Sequence, residues 1–295
     1  MVSTRRLAIN LTALEQVMRQ EPPPGLGSGA MSIYLGSTFA TFNYYSKNSD
    51  TALKQEAAQP EVARDTAYYE ANIGSVTSVD DFVNNYRLLN YAMTAYGLSD
   101  ETNAKALVKQ VLSSDLSDSS SLVYKLNDQR YLNLAKAFAN LNPNDSAASY
   151  TAATTQQVVN SYLEQQLEND VGQQDEGTQL ALYFQRNAAN ITSGYSILGD
   201  SQLWKVVQTV YDLPESLGSI DINQQKDLVE SKVNIADLQD PTKVSALLDR
   251  FSAVWDATNS SAASSDPVLE LFSDGGSDAS ASGASSNILD LEYGG

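Results

Sequence analysis

Ile191-Thr192-Ser193-Gly194-Tyr195-Ser196-Ile197-Leu198, followed two residues later by Ser201-Gln202-Leu203-Trp204-Lys205-Val206-Val207-Gln208-Thr209-Val210-Tyr211, is the stretch that decides the fold class. Leu203, Val206, Val207, Val210 and Tyr211 recur three and four residues apart, so they share one face of a helix, and that face must be buried. Trp204 is placed on the same buried face, flanked by Leu203 and Val207. Asp212-Leu213-Pro214 closes the helix. The pattern then predicts a second helix from Ile222 to Val233 and a third from Asp240-Pro241 to about Trp255.

A related pattern stands earlier in the chain. Ser78-Val79-Asp80-Asp81 opens a helix carrying Val79, Phe82, Tyr86, Leu89, Met93 and Tyr96, and Gly97 sits where a left-handed cap would stop it. Laid over the later helix, Val76-Thr77-Ser78 matches Ile191-Thr192-Ser193, and Tyr96-Gly97-Leu98 matches Tyr211-Asp212-Leu213. The match is that of two copies of one helical unit, or of two unrelated amphipathic helices that share a spacing.

At 295 residues the chain can build one large domain or two ordinary ones. Eighteen basic against 36 acidic residues give a net charge of −18, which repels nucleic acid and anionic lipid alike, so neither is expected as a partner. The sequence contains no cysteine and no histidine, which excludes thiol nucleophiles, thiolate metal sites, disulfides and imidazole bases. No apolar run reaches the roughly 20 residues of a membrane helix, so no membrane insertion is expected. The opening Met1 to Asn10 stretch makes a poor secretory signal, because Asn10, Thr12 and Glu15 interrupt its apolar part.

Taken in order, residues 1–30 end in a Pro/Gly run from Pro22 to Gly29. They are read as a non-native or flexible extension ahead of a natural start at Met31, the alternative being a short amphipathic helix on a linker. Ser37 to Asn72 is spaced for helix and interrupted at Pro60. Further helices are expected from Ser99-Asp100 through Leu112, from Asp118 through Leu126, and from Asn127-Asp128 to Leu141, where Asn142-Pro143 ends them. Asn144 to Tyr150 is the candidate boundary. Helix resumes at Thr155, breaks at Asp170-Val171-Gly172, and returns with Leu180, Leu182, Tyr183 and Phe184. No strand-like alternation occurs, so the fold is expected to be all-α: an N-terminal helical unit over 31–143, a similar C-terminal unit over 151–257, and a disordered acidic Ser/Gly-rich tail over 258–295. The tail carries two apolar islands, Val268 to Phe272 and Ile288 to Tyr293, suited to docking on a partner or on the chain's own surface.

The acidic groupings Asp80-Asp81, Asp175-Glu176 and Asp237/Asp240 are the ones that merit testing as carboxylate pairs; carboxylates at helix starts cap free amides, which explains Asp80-Asp81 without catalysis, and the structural reading is preferred for all three. Asp115-Leu116-Ser117-Asp118 lacks the glycine and the final glutamate of a calcium loop. Gly25-Leu26-Gly27-Ser28-Gly29 has neither the preceding strand nor the following lysine of a phosphate loop. The expected lists of catalytic, cofactor-binding and metal-binding residues are therefore empty. The 16 tyrosines, Tyr44-Tyr45 and Tyr68-Tyr69 among them, are read mainly as core and secondarily as interface.

Phe184 to Ser193, Leu203 to Thr209, Leu213-Pro214-Glu215-Ser216, Ile220-Asp221-Ile222 and Asp240-Pro241 with Leu248-Asp249-Arg250-Phe251 together resemble the bacterial family called domain of unknown function 1217. Ser78 to Phe82, Tyr86 to Met93 and Tyr131 to Phe138 resemble its other half, so the likeness spans about residues 33 to 257. The resemblance implies a helical protein whose genes lie among flagellar genes in alphaproteobacteria, with no known catalytic residue. It also implies a start near Ser32-Ile33-Tyr34, and it does not extend to the long tail. The expected function is a non-enzymatic structural or assembly component of the bacterial flagellum, exported by the flagellar secretion system. The alternative is a cytoplasmic chaperone or regulator of a flagellar protein. Expected partners are flagellar proteins, with self-association as a further option. A hydrolase is the weakest reading, because it needs a carboxylate pair in a closed pocket.

Overall fold

Ser37 opens the first helix by accepting a hydrogen bond from the Ala40 amide, and helix follows helix from there. The structure is a computed structural model that describes residues 32–142 and 153–259. The extension 1–30, the stretch 144–150 and nearly all of the tail, with its two apolar islands, lie outside the described residues. So does the glycine run 25–29.

Helix α1 (Thr38–Ala57) gives way to α2 (Pro60–Ile73), where proline takes the first position because no partner for its missing N–H is needed there. Next come α3 (Val79–Asn84), α4 (Tyr86–Ala95), α5 (Lys105–Leu112), α6 (Leu122–Lys125) and α7 (Gln129–Ala137). A capping box of Thr154 and Gln157 starts α8 (Thr155–Gly172), and Asp175 caps α9 (Glu176–Asn187). The chain goes on through α10 (Gly194–Leu198), α11 (Ser201–Tyr211), α12 (Ile222–Lys232) and α13 (Pro241–Asn259). Short 3-10 turns join several of these, and no strand occurs among the described residues. The fold is all-α.

The two helical stretches matched in the sequence have the same backbone design. Ser78 and Ser193 stand in extended conformation ahead of short helices α3 and α10. At the same register Asn85 and Asp200 restart the chain as α4 and α11, their side chains accepting from the amides of Leu88 and Leu203. Gly97 and Asp212 then take positive φ, at 70° and 49°. The amides of Leu98 and Leu213 each reach back to a carbonyl in the last turn, Met93 O at 2.8 Å and Gln208 O at 3.0 Å. The register holds upstream as well: Asn72 donates to the Tyr68 carbonyl, and Asn187 donates to the Tyr183 carbonyl. In matching fashion α2 packs on α4 and α9 on α11, while α3 packs on α5 and α10 on α12.

Some expectations are corrected. The single helix read from Ser78 to Tyr96 is two, because Asn85 adopts φ −87°, ψ 93° and uses its side chain as a new cap. Asp170 and Val171 do not break α8, which runs through Gly172. After Leu98 a 3-10 turn, Ser99–Glu101, precedes α5, and Asp118 fastens the turn at Ser120 while Ser121 takes the cap position of α6. Trp204 is only partly buried, whereas Leu203, Val206, Val207 and Val210 form the buried stripe.

Residues up to Asp256 make one compact unit; of the unit that begins at Ala257, the last turn of α13 is described. The larger unit has two main cores. The first gathers Phe82, Leu88, Leu89, Met93, Val108, Leu112 and Leu134 with Val158, Tyr162 and Leu163 of α8. A stack of three tyrosines crosses it, with Tyr91 between Tyr69 and Tyr162 at ring-centroid distances of 4.4 and 3.8 Å. The second gathers Phe184, Ile191, Ile197, Leu203, Val207, Val229, Leu248 and Phe251 with Phe42 of α1. Core membership thus crosses chain order twice: α8 begins in the first core, and α1 reaches forward into the second. Tyr45, Ala52 and Val171 form a small third cluster where α1 lies on α8.

Candidate functional site

Between α1, α7, α8 and α9 lies an open cleft of about 770 Å³. Its basic groups are Lys54, Arg130, Lys136 and Arg186, and its acidic groups Asp50, Glu164 and Glu168. Four of the 18 basic residues of a strongly acidic chain therefore face one cavity.

Arg186 projects from α9 onto α8. Its Nε and Nη2 donate to the two oxygens of Glu168, each at 2.7 Å, and Nη2 also donates to Gln165 Oε1 at 2.7 Å. Glu168 is 3% exposed, so this is a buried, bidentate, hydrogen-bonded pair. Burial opposes the charge of Arg186, but the Glu168 carboxylate beside it holds its pKa above the ordinary arginine value.

Arg130 on α7 is held by Asp128, the cap of that same helix, with Nη2 donating to Oδ2 at 2.7 Å and Nε to Oδ1 at 3.1 Å. Its Nη1 donates to the Gly97 carbonyl at 3.0 Å, and its Nε stands 3.9 Å from Asp200 Oδ2. Asp200 is buried and accepts from the amides of Gln202 and Leu203 and from the Tyr183 hydroxyl at 2.6 Å. Burial, and then the Asp200 charge, push the Tyr183 phenol above its ordinary pKa, so it stays a donor at any physiological pH. Arg130 thereby ties the end of α4 in one repeat to the start of α11 in the other.

With both guanidinium groups engaged in these joints, the wall offers the charges of Lys54, Lys136, Asp50 and Glu164 and a larger set of side-chain amides and hydroxyls. Asn133, Gln157, Asn160, Gln185 and Asn190 line it with Ser49 and Ser161, over an apolar floor of Leu53, Leu167 and Leu182. Amides both donate and accept, which suits them to the amide groups of a polypeptide.

The acidic groupings singled out in the sequence lie elsewhere and act as caps or partners. Asp80 pairs with Lys109 at 2.5 Å, and hydrogen bonds from Ser78 and Thr77 hold the Asp81 carboxyl below its ordinary pKa. Asp175 caps α9 through the Thr178 amide and accepts from the Thr38 hydroxyl, while Glu176 stands exposed in the first turn. Asp237 pairs with Lys243, and Asp240 accepts from the Thr242 amide. Asp115 and Asp118 each bind the serine two residues on. None of these lines the cleft. Among the described residues no group of three or more Asp or Glu side chains is placed to hold a metal ion, and no helix is long and apolar enough to cross a membrane.

The cleft residues Arg130, Glu168 and Arg186, and the buried Asp200 beside Arg130, went unassigned in the sequence. Two signals stood there: polar Gln165 and Glu168 at the apolar spacing of α8, and an aspartate just before Ser201.

The sequence profile of the family described as "Protein of unknown function (DUF1217)" matches residues 95–244, a span that holds Arg130, Glu168, Arg186 and Asp200. The chain belongs to this family. A crystal structure of protein AGR_C_984 from Agrobacterium tumefaciens is similar to it, with 38% sequence identity and a TM-score of 0.69; the match covers 81% of this chain and 100% of that one. At that identity the shared fold extends beyond the profile match. No curated protein matches the chain.

Proposed function

We propose that this DUF1217 protein is a non-enzymatic structural or assembly component of the bacterial flagellum, carried through the flagellar export channel. The observation behind the non-enzymatic part is the use made of the charges in the cleft. Arg130, held by Asp128, ties the end of α4 to the start of α11 at Asp200, and Arg186 with Glu168 fastens α9 to α8, roles in which their charges are matched. The flagellar part rests on the family resemblance and the gene neighbourhood it implies. Fractionating cells with and without a working export gate tests the export step: the protein is expected outside the cytoplasm only when the gate works. Recovery in the cytoplasm of both strains defeats it.

The second reading is a cytoplasmic chaperone or regulator of a flagellar protein, and the amide-lined cleft favours it, because such a wall can hold an extended segment of another chain. Co-purification separates the two. A soluble stoichiometric partner supports the chaperone, and recovery with intact basal bodies or filaments supports the structural part.

A further inference from the structure

Helix α1 is not uniform along its length. It kinks at Asn48, where φ is −119° and ψ 22°. Before the kink it is anchored on the second core: Phe42 is buried there, the amides of Thr38 and Phe39 donate to Asp256 at 2.7 and 3.0 Å, and the Thr38 hydroxyl donates to Asp175. After the kink, Ser49, Asp50, Leu53 and Lys54 form one wall of the cleft.

That second half ends on Glu56, which is 4% exposed and faces Asp170 of α8. A single donor lies between the two carboxyls. The Gln59 side-chain amide donates to Glu56 Oε2 at 2.6 Å and to Asp170 Oδ2 at 3.1 Å. Among the described residues neither carboxyl is in a salt bridge. We propose that Glu56, Gln59 and Asp170 form a proton-operated latch that fastens the C-terminal half of α1, and with it one wall of the cleft, to α8.

When Glu56 carries a proton, one charged and one neutral carboxyl share the amide. When it ionises, the buried Glu56 carboxylate faces the half-buried Asp170 carboxylate across one donor, and local opening, which hydrates Glu56, gains. Burial first, and the Asp170 charge second, raise the Glu56 carboxyl to about 7, with the Gln59 hydrogen bond opposing. No cation acts on Glu56: Lys54 of α1 lines the cleft, and Arg64 of α2 pairs with Glu61 and Asp65. Tyr45 lies on α1 and Tyr162 on α8, and both feel the Glu56 charge. Glu61 and Asp65 of α2 act on Tyr162 from the same side. On α9 the charges are Glu176, exposed, and Arg186, engaged with Glu168. For an acid whose pKa is raised when closed, the closed form is favoured below the ordinary value, and the advantage falls as pH rises through about 7.

Hydrogen exchange of the full chain tests this, read as protection of amides 49–59 after correction for the intrinsic pH dependence of exchange. Protection is expected to fall about tenfold between pH 6 and pH 8, the ratio that a carboxyl of pKa about 7 closed and about 4.5 open produces. Glu56→Gln keeps the shape and cannot ionise, so its protection stays level over that range. Asp170→Asn keeps the fall but moves it to lower pH. Wild-type protection that does not change from pH 6 to pH 8, or a Glu56→Gln chain that loses protection as the wild type does, overturns the latch.

Discussion

Residues 76–98 and 191–213 start and stop their helices at the same positions of the same backbone and clothe it differently. In the first, Leu88, Leu89 and Tyr91 through Ala95 are all buried, because α8 lies across α4 and stacks Tyr162 on Tyr91. In the second, the buried residues of α11 are Leu203, Val206, Val207 and Val210, a stripe on one side. The side chains follow the cover. At matched positions Leu89 is replaced by Trp204 and Met93 by Gln208, both on a flank that α11 leaves partly open. Caps fix the path of each repeat, and the neighbours of each helix decide how much of its surface is apolar.

The largest expected effect comes from the buried ion pair that joins α8 to α9. Arg186→Met leaves the Glu168 carboxylate buried without its partner, and should cost ~3–5 kcal/mol in denaturant unfolding. Adding Glu168→Met removes the stranded charge and should recover most of the loss. A double variant as unstable as the single one would show that the pair is not an isolated joint. Next in size is the contrast between the matched positions Leu89 and Trp204. Leu89→Ala opens a cavity in a fully buried place and should cost ~2–5 kcal/mol, whereas Trp204→Ala, partly exposed, should cost roughly 1–2 kcal/mol. Both belong to one compact unit, so each should shift a single thermal transition. Equal losses at the two positions would erase the difference in cover between the repeats.

Starts and stops were legible because they are local chemistry. Ser78, Asp128 and Thr154 cap through their own side chains, Pro60 and Pro241 begin helices, and Gly97 and Asp212 end them with left-handed backbone. The restart at Asn85 was not legible, since an asparagine inside an apolar run reads equally well as one solvent-facing residue of a continuous helix. The partial exposure of Trp204 was hidden for a different reason: spacing shows which residues share a face, and only tertiary structure shows how wide the cover on that face is. The cleft was hidden most deeply. Arg130, Gly97 and Asp200 meet across three separate elements, and no spacing rule links an arginine on α7 to a carbonyl after α4. Glu56 and Asp170 are hidden in the same way, each an ordinary acidic residue on a helix until α1 is laid on α8.

The smallest expected effects test whether the two repeat ends are one device. Gly97 and Asp212 both hold positive φ, a conformation that costs an L-residue roughly 1–2 kcal/mol and glycine nothing. A methyl group on Gly97 would also stand 3.3 Å from Gln165 Oε1 and 3.6 Å from Arg130 Cδ. Gly97→Ala should therefore cost at least ~1–2 kcal/mol and disturb the Arg130 joint. Asp212 already bears the left-handed cost, reduced because aspartate tolerates that region, and its carboxylate sits at the unfavourable end of the α11 dipole. Asp212→Gly relieves both effects and adds freedom to the unfolded chain, which works against it by ~0.5–1 kcal/mol. The net should be a gain of about 0.5 kcal/mol, seen as a small rise in the denaturant midpoint at unchanged slope. A loss at Asp212→Gly would mean that the aspartate side chain supports the turn in its own right, and the two helix ends would then be alike in backbone but not in what holds them.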